Sequence, residues 1–272
     1  MPVQPLKAMA ALVIAQKLGG NILFGAGLAI GAIMLVLTVT GLIWWLARVV
    51  PKTVVRGIQF GLGLQLATLA LKDYVQADGA VGYALAGIGF VVTILLMGNR
   101  RFPAALFVVA LGVAYAAVFK LDFAAVAHGA GFRLPQLHVP AMQDVLTGLL
   151  VLTLPQIPLS LGNSILATRQ VAEDFFPERK LTIRRISFTY TLMNLVNPWF
   201  GGIPTCHGSG GMAGHYTFGA RTGGSVIIYG SLYLTLGLFF SGSFGQLIQV
   251  FPKPILGVML AFEGLAMLVL VS

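Results

Sequence analysis

The residues best equipped for chemistry lie in three short stretches, each of which mixes proline or glycine with neutral polar side chains. The longest runs Gly201-Gly202-Ile203-Pro204-Thr205-Cys206-His207-Gly208-Ser209-Gly210-Gly211-Met212-Ala213-Gly214. Its glycines let backbone N–H groups approach a ligand closely, and consecutive amides of this kind form anion-binding nests. Thr205, His207 and Ser209 can add side-chain donors. No Gly-Lys-Ser/Thr follows, so this is not a nucleotide P-loop. Cys206, His207 and His215 lack metal-ligand spacing and a carboxylate partner. The competing reading is close helix packing through small residues. The second stretch is Pro2-Val3-Gln4-Pro5-Leu6-Lys7. Its prolines favour extended backbone running into a helix start. Gln4 can donate to an oxyanion, and Lys7, one turn on, is a cation inside an apolar segment. A cation there is costly and functional by default, unless it snorkels to the interface. The third is Leu154-Pro155-Gln156-Ile157-Pro158-Leu159-Ser160-Leu161-Gly162-Asn163-Ser164. Two prolines are expected to break a helix here and to gather Gln156, Ser160, Asn163 and Ser164 at the break. These side chains either bind substrate or satisfy the backbone groups that the prolines free. No serine–histidine–acid set and no paired carboxylates suggest an enzyme.

These stretches must be positioned by membrane helices. Of 272 residues, 57% are hydrophobic and only 9% are charged, with a mean hydropathy of +0.90. Soluble domains carry about 25% charged residues. The composition excludes a soluble enzyme, a disordered chain and a nucleic-acid-binding domain, and leaves an all-α polytopic membrane protein. One cysteine, Cys206, excludes an internal disulfide. Ten apolar segments are expected, at 5–18, 22–47, 53–71, 80–98, 102–119, 142–168, 183–200, 203–218, 224–242 and 254–271. The first, seventh and eighth are short or interrupted, which is the best sequence pointer to a transporter binding site. The net charge of +9 reflects topology rather than nucleic acid. Eleven of the 17 Lys and Arg fall on one side of the alternating segments and five on the other, with Lys7 inside the first segment. The richer side, which includes Arg48, Arg56, Arg100, Arg101 and the 179–185 cluster, is expected to be cytoplasmic. Arg56, Gln59 and Gln65 are packing or gate residues, and Glu263 could carry a coupling proton or pair with another helix. His128 and His138 are expected to be solvated loop residues.

An internal repeat sharpens the picture. Pro51-Lys52 recurs at Pro252-Lys253, an offset of 201, and Pro2 recurs at Pro204, an offset of 202. In each pair the two segments are seven apart, and an odd separation inverts the second copy in the membrane. Inverted repeats of this kind build secondary transporters. Each broken segment then starts extended and continues as a helix. Two facing helix N-termini, each with unpaired N–H groups and about half a positive charge, form an anion site.

Pro2 to Lys7, Pro155 to Ser164 and Pro204 to Gly224 resemble the signature stretches of the molybdate transporters of the sulfate-permease superfamily. Val54 to Gln65 and Asn194 to Phe200 also fit, and the similarity covers essentially the whole chain. The resemblance implies the inverted-repeat fold of the sulfate and uracil permeases: fourteen spans, a core and a gate. Substrate lies between the half-helices of spans three and ten, flanked by spans one and eight. The ten segments then correspond to spans three to twelve of a single transporter domain, 1–272, without a soluble domain. Residues 1–50 and 142–223 are core-type, and 51–120 and 224–272 gate-type. Carried over, Gln4 and Lys7 fall at the span-three half-helix. Thr205, Cys206, His207, Gly208, Ser209, Gly210 and Gly211 fall at the span-ten half-helix, and Gln156, Asn163 and Ser164 in span eight. The expected substrate is molybdate, with sulfate at the same site as the alternative. A further alternative is an inactive or accessory membrane fragment, since the family has two more spans at each end and Met1 matches an internal methionine. No cofactor, metal or nucleic acid is expected. The partners are the oxyanion and the bilayer, with a homodimer left open, and the expected location is a bacterial inner membrane.

Overall fold

The computed structural model describes residues 1–99 and 101–270. Arg100, one of the expected topology charges, and residue 271, at the end of the tenth segment, lie outside the described residues. The elements run β1 (Val3–Pro5), α1 (Lys7–Gln16), α2 (Gly20–Val39), α3 (Leu42–Val49), α4 (Lys52–Tyr74), α5 (Gly79–Leu96), α6 (Ala104–Phe119) and α7 (Phe123–Gly129). They continue with α8 (Met142–Phe175), α9 (Ile183–Val196), β2 (Thr205–His207), α10 (Ser209–Thr217), α11 (Gly224–Phe239), α12 (Phe244–Val250) and α13 (Lys253–Val269).

A bilayer core of about 30 Å needs roughly 20 helical residues. Among the described residues, α2, α4, α5 and α8 meet that length and apolarity alone. The bent pairs α6–α7 (102°) and α12–α13 (73°) raise the number to six if each is one span. The remaining expected segments are shorter for identifiable reasons. The seventh is the 14-residue α9, ended by a 3-10 turn at Asn197–Phe200 that contains Pro198. The first and eighth each divide into a three-residue strand and a short helix.

The third stretch differs from expectation. α8 is not broken at Pro155 and Pro158 but continues through two π-helical stretches, Leu149–Thr153 and Ser160–Ala167. Wider π turns re-route the hydrogen bonds that proline cannot make, so the helix absorbs both rings. Gln156, Ser160 and Ser164, four residues apart, consequently share one buried face.

The chain forms two compact units. The first comprises residues 1–59 and 135–212. Its core gathers Leu6, between β1 and α1, Met9 of α1, Ala26, Ile30 and Met34 of α2, Leu152 and Ile165 of α8, Ile186 and Tyr190 of α9, and Cys206 of β2. α2 and α8 touch backbone to backbone. A Cβ at Gly148 would stand 2.5 Å from the Ala26 nitrogen, and one at Gly25 would stand 2.5 Å from the Asp144 carbonyl oxygen. With no hydrophobic drive between helices in lipid, such contact supplies packing that larger side chains cannot. Gly148→Ala is therefore expected to destabilise this unit by about 1–3 kcal/mol, read as a lowered unfolding temperature in detergent. His138 also belongs here and is not a solvated loop residue. Its ring meets the Phe24 ring edge-on at 5.0 Å, its backbone N–H donates to the Trp199 carbonyl at 2.6 Å, and its Nε2 is buried.

The second unit comprises residues 60–134 and 213–270, with Ser272 outside the described residues. Its cores are Ala86, Ala104, Phe218, Val258 and Phe262, and Leu85, Val108 and Ile255. α4 and α13 cross at Gly63 and Gly264, where a Cβ on either would lie 2.8 Å from the other's carbonyl oxygen. Glu263 of α13 lies against Gly214 of α10, whose added Cβ would be 3.2 Å from its Oε2. α11 buries no residue, and its outward Ile227, Ile228, Leu232 and Leu234 need apolar surroundings.

Candidate anion site at the paired half-helices

Pro2, Pro5 and Pro204 disfavour helical backbone in the residues before them, so the chain enters both half-helices extended. The two extended pieces pair. β1 and β2 are antiparallel, with Val3 opposite His207, Gln4 opposite Cys206 and Pro5 opposite Thr205. The Leu6 N–H donates to the Pro204 carbonyl at 3.1 Å, closing the ladder. A single residue, Leu6, separates β1 from α1, and a single residue, Gly208, separates β2 from α10. Antiparallel strands send these helices off in opposite directions, and both N-terminal ends stay at the strand pair. This is the strand-then-helix arrangement expected at Pro2 and Pro204.

The α10 end is crowded with donors. Ser209, Gly210 and Gly211 supply first-turn N–H groups, and the Met212 N–H is the first to turn inward, to the Gly208 carbonyl at 3.1 Å. The Gln4 side chain crosses from β1 onto this turn: a Cβ at Gly208 would coincide with its carboxamide, and one at Gly211 would be 3.6 Å from its Oε1. Ser209 Oγ donates to Asn163 Oδ1 at 2.7 Å, which fixes the Asn163 side chain and leaves its Nδ2 as a donor. Gln4 stands opposite the buried Cys206 in the strand pair, and Ser164, next to Asn163, is buried as well. The structure thus brings together Gln4, Asn163, Ser164, Cys206, Gly208, Ser209, Gly210 and Gly211.

Four expected site residues are employed differently. Gln156 is buried, and its Oε1 accepts the Met9 N–H at 3.3 Å, a first-turn donor of α1. Its Nε2 donates to Ser160 Oγ at 3.2 Å, and Ser160 bonds the Tyr190 hydroxyl at 2.8 Å. Gln156 is the cap of α1, supplied by another helix. His207 has both ring nitrogens engaged, Nδ1 with the Pro2 carbonyl at 3.3 Å and Nε2 with Thr189 Oγ1 at 2.8 Å. It ties β2 to the first strand and to α9. The Thr205 hydroxyl accepts from Asn197 Nδ2 at 3.1 Å and keeps its own proton to donate. Lys7 opens α1 and is exposed.

Sequence reasoning missed the residue that holds β2. The outer edge of a two-stranded sheet has unpaired N–H and C=O groups, which a membrane interior does not tolerate. Asn194 of α9, fully buried, fills that edge. Its Nδ2 donates to the Thr205 carbonyl at 2.7 Å, and its Oδ1 accepts the Thr205 N–H at 3.0 Å. Thr168 Oγ1 of α8 donates to the next outward carbonyl, that of His207, at 3.4 Å. An asparagine set between Leu192-Met193 and Leu195-Val196 was the available signal.

The model of the family described as molybdate transporters of the MFS superfamily matches residues 1–66 and 148–267. The chain belongs to the molybdate transporter family. Molybdate transporter 1 and Molybdate transporter 2 of Arabidopsis thaliana are each 33% identical to it, over 97% of this chain and 67% of theirs. Molybdate transporter 1 of Chlamydomonas reinhardtii is 37% identical over 61% of this chain and 33% of its own length. The matched residues of the family model include both strands and all three stretches. The fold is shared with the transmembrane domain of a cyanobacterium bicarbonate transporter, BicA, at a TM-score of 0.64 and 19% identity, covering 96% of this chain and 72% of that one. The chain is accordingly an integral, multi-pass membrane protein with the fold of that transmembrane domain.

Proposed function

We propose that this member of the family is a secondary transporter of molybdate and binds the dianion at the strand-paired N-termini of α1 and α10. The observation that carries the reading is the Gln4 carboxamide laid against the Gly208–Gly211 turn, with Asn163 and Ser209 beside it. The donors are neutral N–H and O–H groups together with two helix ends, and Lys7 at the start of α1 adds a full charge. Such a site suits a tetrahedral oxyanion that must be bound and then released. Hydrogen bonds to a charged group contribute about 1.5–3 kcal/mol each without trapping it in a tight ion pair. Thr205, Cys206, Gln156 and His207 complete the site, the latter two by holding its walls.

Equilibrium binding of radiolabelled molybdate to the purified chain, with sulfate as competitor, tests this. Tight binding that resists equimolar sulfate is expected. Equal competition would transfer the assignment to sulfate, and absence of binding would overturn the site.

Lys7 gives a separable prediction. A cation at a helix N-terminus opposes the helix dipole by about 0.3–1 kcal/mol. Lys7→Gln is therefore expected to leave thermal stability unchanged or slightly raised. The same substitution should weaken molybdate binding roughly tenfold, the equivalent of about 1.4 kcal/mol. A loss of stability with unchanged affinity would assign Lys7 to the fold instead.

A further inference from the structure

A second group of anion-binding donors lies in the first unit, away from the paired half-helices. Arg56, on the second turn of α4, makes a two-point contact with Asp174 near the end of α8: Nη1 to Oδ2 at 2.7 Å and Nη2 to Oδ1 at 3.0 Å. Arg56 Nη1 also donates to Gln59 Oε1 at 3.0 Å, and Gln170 Nε2 donates to Asp174 Oδ1 at 3.1 Å. Gln59 is wholly buried, yet its Nε2 has no hydrogen-bond partner among the described residues. A buried amide donor without an acceptor is costly and rare, and asks for an explanation.

The set has a simple chemical description. The groups hydrogen-bonded to Asp174 are Arg56 Nη1 and Nη2 and Gln170 Nε2, all donors. The planar guanidinium fork matches a carboxylate and a tetrahedral oxyanion equally well. Asp174 occupies the place such an anion would take. The pair is accessible, since the two side chains retain 31% and 18% of their exposure. A half-exposed ion pair of this kind contributes little net stability, so exchanging its anion is not prohibitive. The location fits a path. Ile58, one residue before Gln59, packs where a Cβ on Gly162 would stand 2.6 Å from its Cδ1, and Gly162 adjoins Asn163 of the half-helix site. Asp174 lies 11 positions beyond Asn163 along α8, about 16 Å at 1.5 Å per residue, toward the Arg-rich loop at 179–185.

We propose that Arg56, Gln59 and Gln170 form a second oxyanion-binding station, closed in this structure by Asp174, which a tetrahedral oxyanion such as molybdate displaces. The identity of the anion rests on the function proposed above, whereas the station itself does not. A structural latch would use the same ion pair, but it predicts that removing either partner has the same consequence. The station predicts opposite consequences.

The test is equilibrium binding of radiolabelled molybdate to the purified full chain, carried to high concentration. Wild type should show a tight class and a weak class of sites. Arg56→Gln should remove the weak class alone, and Gln59→Leu, which leaves the ion pair intact, should weaken it several-fold. Asp174→Asn should tighten it at least tenfold, and adding Arg56→Gln to that variant should abolish the gain. If Asp174→Asn aggregates, the comparison of wild type with the Arg56 and Gln59 variants still decides. A single class of sites unchanged by all of these substitutions would overturn the station while leaving the half-helix site standing. Binding that depends on Arg56 alone, with the tight class absent, would do the reverse. Matched changes in Asp174→Asn and Arg56→Gln would establish the latch and overturn the station.

Discussion

Gly208→Ala is expected to weaken molybdate binding by about ten- to a hundredfold while leaving the protein folded. The added methyl would occupy the space of the Gln4 carboxamide. That carboxamide is the far end of a flexible side chain and can swing aside, so the structural cost stays near the low end of the 1–3 kcal/mol typical of overpacking. What is lost is the donor held against the first turn of α10. A hydrogen bond to a charged ligand is worth about 1.5–3 kcal/mol, which sets the expected range. Two controls isolate the cause. Gly211→Ala, whose Cβ would meet Gln4 Oε1 at an ordinary 3.6 Å, should bind as wild type does. Gln4→Ala should reproduce the loss, and combining it with Gly208→Ala should add little, because both remove one interaction. Isothermal titration of the four proteins measures this directly. Additive losses would mean that Gly208 acts through something other than Gln4.

The residues that made this site legible are the prolines. Pro2, Pro5 and Pro204 forced extended backbone at two places about 200 residues apart, and a helix start after each followed from the sequence alone. What the spacing did not reveal is that the two extended pieces are hydrogen-bonded to each other. Three-residue strands have no alternation to detect, and their pairing is a tertiary fact. The same limit explains Gln156. Its position among prolines suggested either substrate or the backbone groups that the prolines free, and the partner it has, the Met9 N–H on another helix, could not be read from its neighbours in sequence. His207 looked like a donor to ligand because its neighbours in sequence are glycines, whereas its neighbours in space are Pro2 and Thr189. Pro155 and Pro158 misled for a local reason, since π turns can carry proline through a helix without a break.

Asn194→Leu is expected to be the most damaging single substitution in the first unit. Leucine has the same branched skeleton of side-chain heavy atoms as asparagine and leaves no cavity, so the loss is first one of hydrogen bonding. Two backbone groups of Thr205 lose their only side-chain partner in an environment that offers no water. At about 1–3 kcal/mol for each unsatisfied buried group, the loss is about 2–6 kcal/mol. It falls on the strand that positions Cys206, His207 and the start of α10. Both the unfolding temperature and molybdate binding should therefore collapse together, in contrast to Gly208→Ala, which separates them. The companion is Thr191→Val on the same helix. Thr191 is 2% exposed, and its hydroxyl is buried without a hydrogen-bond partner among the described residues. Removing that hydroxyl takes away an unsatisfied group rather than creating one, so Thr191→Val should be neutral or stabilising. Two polar-to-apolar changes three residues apart, at equal depth, then have opposite signs. Thermal unfolding in detergent measures both. Equal destabilisation would mean that α9 is sensitive to any change at that depth, and that Asn194 has no special claim on the edge of β2.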